Sequence, residues 1–346
     1  MLPVTFLPDP EMNDTRKRRP TLQDIADLTG VTKMTVSRYL RDPQAVAEAT
    51  RERIATAVEE LGYIPNRAPD MLSNATSKAI GILIPSLSNQ VFSAVVHGIE
   101  AVTRPAGYQT LLAHYGYSPE REEEQVASLL SYNVDGLILS DSQHTERTRK
   151  MIATAGIPVV ETMDLPQAPI DMVVGMDHRA AARAMVTEML RRGRRKVVYL
   201  GARLDVRTQL RMEGYYQAMT DAGLAGQHLL TEQSSSFTLG GQLLEQAMAR
   251  HPDLDGLFCT NDDLAVGALL QCQARQIAVP RQIAIAGSNA LDIGHAMTPK
   301  LASIITPREA IGREAATMLL ARLGGAPLAE TCKDMGFSLY EGDSLG

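Results

Sequence analysis

The chain has 346 residues, 45% of them apolar and 21% charged, an ordinary globular balance with material for two or three domains. No apolar run approaches the roughly 18 residues of a membrane span, so a transmembrane helix is not expected. The opening MLPVTFLPDP lacks a basic flank and a small-residue cleavage site, so neither is a secretory signal. The net charge of −6 argues, taken whole, against nucleic acid, but it conceals an asymmetry. Residues 16–67 carry ten basic and seven acidic side chains, a net of +3, which leaves −9 for the remainder. A small basic head on an acidic body is the pattern expected when only the head meets phosphates. Cys259, Cys272 and Cys332 are an odd, widely spaced set without a Cys-x-x-Cys pair. They suggest neither disulfides nor structural zinc, and they suit a reducing cytoplasm.

In chain order, residues 1–15 read as a disordered arm, with three prolines, three acids and no periodicity. The run Arg16-Lys17-Arg18-Arg19-Pro20 is a solubilising tail or an arm that lies along DNA, and alone it favours the tail. Three short helices follow. Thr21 caps the first, with Asp24 in capping-box spacing and Leu22, Ile25 and Leu28 on one face. Gly30 ends it and Thr32 caps the second, which carries Met34, Val36 and Leu40. The third, about 49–61, has Ile54, Val58 and Leu61 as its stripe and stops at Gly62. The whole is a helix-turn-helix domain over 16–65, followed by a hinge helix or linker over 66–77.

From Lys78 onward, apolar runs alternate with helical patterns. Strands are expected at 79–84, 110–113, 136–139, 158–160, 172–174, 197–201, 256–259 and 283–286. Helices are expected at 91–103, 120–131, 179–191, 208–222, 239–249, 262–274 and 307–323. The fold class is therefore a small all-α head plus α/β, with two doubly wound parallel-sheet lobes. The expected division is 78–176 with 305–325 in the first lobe, and 177–304 with 326–346 in the second.

In a helix-turn-helix the start of the second helix meets base edges in the major groove. Here those residues are Thr32, Lys33, Met34, Thr35, Ser37 and Arg38. Lys and Arg suit guanine edges or phosphates, the hydroxyls suit phosphate oxygens, and Met suits a thymine methyl. The bland alternative is a helical bundle with a polar exposed face.

The string TLQDIADLTGVTKMTVSRYLRDPQAVAEATRERIATAVEELGYIPNRA resembles the DNA-binding head of the lac/gal-repressor family. SKAIGILIP, VDGLIL, AGIPVV, RTQLRMEGY, LFCTNDDLAVGAL, IAIAG and LASIITP resemble that family's periplasmic-binding-protein-type core, in order and spacing. LSNATSKAIGIL, SLSNQVF, GYQTLLAHYGYSPE, YLGARLD and EQSSS are most similar to the gluconate-operon repressors within it. The resemblance implies a homodimer whose two heads read a palindromic operator. It also implies a hinge that folds on DNA and wedges an apolar residue into the minor groove. The matching wedge is Leu72, with Ala68 and Pro69 nearby, and Asn66 and Arg67 are further expected DNA contacts; without the family pattern Leu72 is better read as packing on its dimer mate or the core. Ala47 stands where relatives have a capping serine. No leucine heptads follow as far as Gly346, so a dimer rather than a tetramer is expected.

Two such lobes hold a ligand between them, at the carboxyl ends of the strands. The candidates there are Ser86, Asn89, Asp164, Arg211, Asn261 and Asn289. The resemblance points Arg211 at the effector, where it would grip a carboxylate bidentately. The bare sequence instead favours a surface ion pair of Arg211 with Glu213 or Asp205. Arg203 and Arg207 read either as phosphate ligands or as solvent-facing. Asn289 replaces the aspartate common in sugar-binding relatives, which relieves repulsion against an acidic ligand. The seven histidines are scattered without metal-ligand spacing, and neither a nucleophile elbow nor a Walker loop occurs. No catalytic residue, metal or cofactor is expected. The leading expectation is a cytoplasmic transcriptional repressor of gluconate uptake and catabolism, released by gluconate or a related sugar acid. The alternative is the solute-binding receptor of a sugar transporter, which shares the bilobal body.

Overall fold

The first helix starts where Thr21 and Asp24 satisfy each other's backbone. The Thr21 N–H donates to Asp24 Oδ2 at 2.6 Å, and the Asp24 N–H to Thr21 Oγ1 at 3.4 Å. The computed structural model describes residues 18–66 and 76–346, and the chain divides into two units, one ending at Ala75 and one beginning at Thr76. In the first unit α1 spans Leu22–Thr29 and ends at Gly30, whose φ of 67° would strain any other residue. Thr32 caps α2, Lys33–Arg41, and α3 spans Glu48–Leu61 up to Gly62. Ile25, Ala26, Val36, Val46, Ile54 and Ala57 form the core of this small domain.

The second unit is the expected alternation of strand and helix. Its first half runs β1 Ala79–Ile84, α4 Gln90–Thr103, β2 Gln109–His114, α5 Pro119–Ser131, β3 Gly136–Leu139, α6 Glu146–Ala155, β4 Val159–Met163 and β5 Met172–Gly175. Its second half runs α7 His178–Arg191, β6 Val197–Ala202, α8 Val206–Asp221, β7 Gln227–Thr231, α9 Phe237–Arg250, β8 Gly256–Cys259, α10 Asp262–Ala274, β9 Ala284–Ser288, α11 Asp292–Ala296 and β10 Ala302–Ile305. The chain then returns through α12 Arg308–Leu323 and β11 Cys332–Asp334 to β12 Ser338–Tyr340.

Two six-stranded sheets result, in the orders β11-β5-β4-β3-β1-β2 and β12-β10-β9-β8-β6-β7. Every pairing is parallel except β10 with β12. Helices cover both faces, so β3, β4, β5 and β8 are buried along their whole length, as near-continuous apolar runs imply. Helix α12 packs on α4 of the first lobe almost backbone to backbone. A Cβ at Gly98 would sit 2.2 Å from the Glu309 carbonyl oxygen, and one at Gly312 would sit 2.1 Å from that of Val95.

Several elements differ from expectation. Strand β7 is an edge strand with only Leu229 buried, so it has no apolar run to announce it. Helix α6 buries only Thr148 and Ile152, too little for a visible stripe. Strand β11 pairs with β5, so Cys332–Asp334 lies in the first sheet, and the last crossing follows Asp334 rather than residue 325. Three residues cannot show an alternation, and that short pairing is invisible in the sequence. Among the described residues no helix is long and apolar enough to cross a membrane.

Candidate nucleic-acid interface and effector site

Helix α2 buries Val36 and packs Tyr39 and Leu40 on the head's core, which leaves its opposite face to solvent or to a partner. Thr32, Lys33, Met34 and Arg38 are exposed, while Thr35 and Ser37 are half-buried. Thr32 accepts the Thr35 N–H at 3.2 Å, and the two hydroxyls lie 3.0 Å apart, so these threonines build the helix start as well as line its face. Met34 is 75% exposed. An apolar side chain left in water at the tip of a basic helix forgoes about 1.5–3 kcal/mol of burial, which a thymine methyl in a groove can restore. Asn66 is exposed beyond Gly62. Arg67 and Leu72, with most of the expected hinge, lie outside the described residues.

In both sheets of the second unit the order of the strands reverses, between β1 and β3 and between β6 and β8. Crevices at the carboxyl ends of such switch points hold ligands. A narrow cavity opens there, with Asn89, Phe92, Tyr117 and Met163 from the first lobe. Arg203, Asp205, Arg207, Thr208, Arg211, Thr260, Asn261 and Asn289 face them from the second. Four of the six expected residues, Asn89, Arg211, Asn261 and Asn289, thus meet in one cavity. Ser86 and Asp164 stand one contact behind it: Ser86 Oγ accepts the Asn89 N–H at 3.3 Å, and Asp164 pairs with Arg207.

Secondary structure holds most of these side chains. Asn89 caps α4 through Val91 N–H at 3.1 Å, which leaves its amide to donate to the Tyr117 hydroxyl at 3.1 Å. Asn261 caps α10 through Leu264 N–H at 3.2 Å and donates to Ser235 Oγ at 2.8 Å. Asn289 has a φ of 104°, rare outside glycine, and is pinned by its N–H to the Ile304 carbonyl at 2.8 Å. Arg207 and Arg211 lie four apart on α8 and point the same way, both nearly buried.

Arg207 crosses from the second lobe to the first. Its Nε donates to Asp164 Oδ1 at 2.9 Å and its Nη2 to the Ser140 carbonyl. Burial pushes the Asp164 carboxyl up, but Arg207 and His178 overcome that and hold it down at about 2. Arg211 donates to the Thr260 carbonyl at 2.5 Å and to His178 Nδ1 at 3.3 Å, and burial lowers its pKa. Neither expected ion-pair partner takes it, since Glu213 bonds Arg179 at 2.8 Å and Asp205 caps α8 through Thr208 N–H at 2.8 Å. Arg203 and Arg207 are not solvent-facing, as their side chains are only 14% and 10% exposed. Tyr117 has no signal in the sequence, whereas the i, i+4 spacing of Arg207 and Arg211 marks a shared face. Among the described residues no His, Cys, Asp or Glu cluster suits a metal ion.

The model for bacterial regulatory proteins of the lacI family matches residues 21–66. The model for periplasmic binding proteins and the sugar-binding domain of the LacI family matches 77–331. The chain is 56% identical to the HTH-type transcriptional regulator GntR of Escherichia coli K12 over 95% of its own length and all of the relative's. It is 52% identical to the HTH-type transcriptional regulator IdnR of the same strain, with the same coverage. A solved LacI-family transcriptional regulator from Silicibacter pomeroyi superposes with a TM-score of 0.88 at 35% identity, covering 94% of this chain and 99% of that one. The DNA-reading head disfavours the alternative of a transporter's receptor. The chain belongs to the lacI family of bacterial regulatory proteins, and it is a DNA-binding transcriptional regulator rather than an enzyme.

Proposed function

We propose that the chain is a cytoplasmic homodimeric repressor of gluconate and related sugar-acid genes, released from a palindromic operator when a sugar acid enters the cleft. The observation that carries this reading is Arg211, a nearly buried guanidinium in the cavity that forms no ion pair among the described residues. A buried cation without a countercharge is costly alone and is stabilised by a ligand carboxylate. Asn89, Asn261, Asn289 and Thr208 supply amide and hydroxyl groups around it for the hydroxyls of such a ligand.

On the DNA side, Thr32, Lys33, Met34, Thr35, Ser37 and Arg38 read the major groove, and Asn66, Arg67 and Leu72 continue the footprint into the minor groove. The ligand acts by favouring one angle between the lobes, and that angle sets the spacing of the two heads.

The test is fluorescence-anisotropy binding to the DNA upstream of the chain's own gene and of neighbouring sugar-acid genes, at two salt concentrations, with and without gluconate. Tight, salt-sensitive binding that gluconate releases is expected. In Arg211→Ala the operator should bind as before and gluconate should no longer release it. Binding indifferent to gluconate in the unaltered chain would remove the effector assignment, and absence of specific binding would remove the operator assignment.

A further inference from the structure

The three arginines of the cleft do not offer a ligand the same charge. Arg207 is 2.9 Å from Asp164 Oδ1, and Asp164 is 2% exposed and stands outside the cavity lining. The other Asp164 oxygen takes the Ser142 hydroxyl at 3.4 Å. Arg203 lies over the Tyr117 ring at 4.2 Å, donates to Ser235 Oγ at 3.2 Å, and has Asp205 Oδ2 3.6 Å from its Nε. Arg211 meets only a carbonyl oxygen and an imidazole nitrogen. That imidazole is neutral: His178 Nε2 is 3.1 Å from the Met163 carbonyl and 3.3 Å from Asp164 Oδ1, so Nε2 carries the proton and Nδ1 accepts from Arg211. Two of the three guanidiniums are therefore already paired with carboxylates, and one is not.

We propose that Asp164 determines the charge of the ligand: by neutralising Arg207 from behind the cavity wall, it leaves one uncompensated cation, Arg211, and so selects a hydroxylated monocarboxylate over a phosphate ester or dicarboxylate of the same chain. The proposal rests on the sugar-acid reading above and sharpens it. A second anionic group on the ligand would have to share Arg207 with a buried carboxylate that it repels, after losing its own hydration. Asp164 stands outside the cavity lining and acts through Arg207, while its contact with His178 Nε2 holds the imidazole that accepts from Arg211.

Isothermal titration of the full chain with gluconate, 6-phosphogluconate, glucarate and glucose tests this, on the unaltered protein and on Asp164→Asn. The asparagine keeps an acceptor oxygen for Arg207 and removes the charge. The unaltered chain should prefer gluconate over each of the other three probes by roughly ten-fold or more. Asp164→Asn should move the preference, read as the ratio of affinities, toward 6-phosphogluconate and glucarate by about ten-fold. If Asp164→Asn does not fold, as judged by operator binding and thermal unfolding, Asp164→Glu, which restores the charge, should retain the preference for gluconate. The proposal alone is overturned if the unaltered chain takes 6-phosphogluconate or glucarate as tightly as gluconate, or if Asp164→Asn leaves the preference unmoved. Binding of none of the four by a chain that still binds its operator would instead overturn the sugar-acid reading beneath it.

Discussion

Individual side chains in this protein are governed by what burial leaves them to bond with, and His144 is the sharpest instance away from the cleft. Its side chain is fully buried, with Nδ1 3.0 Å from both Glu122 oxygens and Nε2 3.3 Å from Glu161 Oε1. Burial alone would push its pKa down, but the two carboxylates outweigh that and raise it to about 9. The folded value exceeds the ordinary 6.5, so the stabilisation is complete below pH 6.5 and is lost as pH rises through 9. Glu122 is itself pushed up by burial despite His144, so the net contribution is smaller than the histidine alone implies, about 1–3 kcal/mol. The melting temperature should therefore fall between pH 7 and 9.5, and His144→Gln should flatten that fall. An equal fall in the variant would show that the triad does not carry the pH dependence. Arg211 makes the complementary point about legibility. The bare sequence favours a surface pairing with Glu213 or Asp205, and only the packing of α7 on α8 commits Glu213 to Arg179.

Among the secondary elements, those with strong local signals are the ones the sequence disclosed. Thr21, Thr32, Gly30 and Gly62 fix the head helices through bonds or φ values that few other residues supply. The buried strands announce themselves because both faces are apolar. Strands β7 and β11 do not, because their pairing depends on a neighbouring strand and not on their own pattern. The cavity wall was legible where a cap or a strand end placed a residue, as with Asn89 and Asn261. It was not legible where a cross-lobe contact did, as with Tyr117 and the Arg207–Asp164 pair. Helix α3 tests the capping argument from the other side. Its N-cap Ala47 has non-helical backbone and makes no side-chain bond to the first turn. Ala47→Ser should supply one and stabilise the head by about 0.5–2 kcal/mol. The gain should appear as slower hydrogen exchange along α3 in the full chain; unchanged exchange would mean that its first turn is already satisfied.

At the scale of the whole molecule, the question is what a single head can achieve on DNA. One short basic helix makes few base contacts, and a palindromic operator is read tightly only when two heads are joined, so that the second binding step becomes intramolecular. The body therefore needs a surface for a second copy. We take helices α9 and α10 as that surface, because Phe237 and Leu270 stay 42% and 44% exposed on a groove lined by Gly241 and Gly267 together with polar side chains such as Gln242 and Gln271. Glycines there leave room for the side chains of a second copy, and burying Phe237 and Leu270 would supply drive for association. Phe237→Glu places a charge in that patch at little cost to the monomer. Position 237 opens the first turn of α9, where a carboxylate is favoured by the helix dipole. The variant should sediment as a monomer, bind gluconate as the unaltered chain does, and keep its affinity for an isolated half-site. Affinity for the full palindrome should fall by about 10²–10⁴-fold, because the linked second step is lost. A variant that still sediments as a dimer would move the interface elsewhere. Monomers that kept full palindrome affinity would show that the heads do not depend on the body for their pairing.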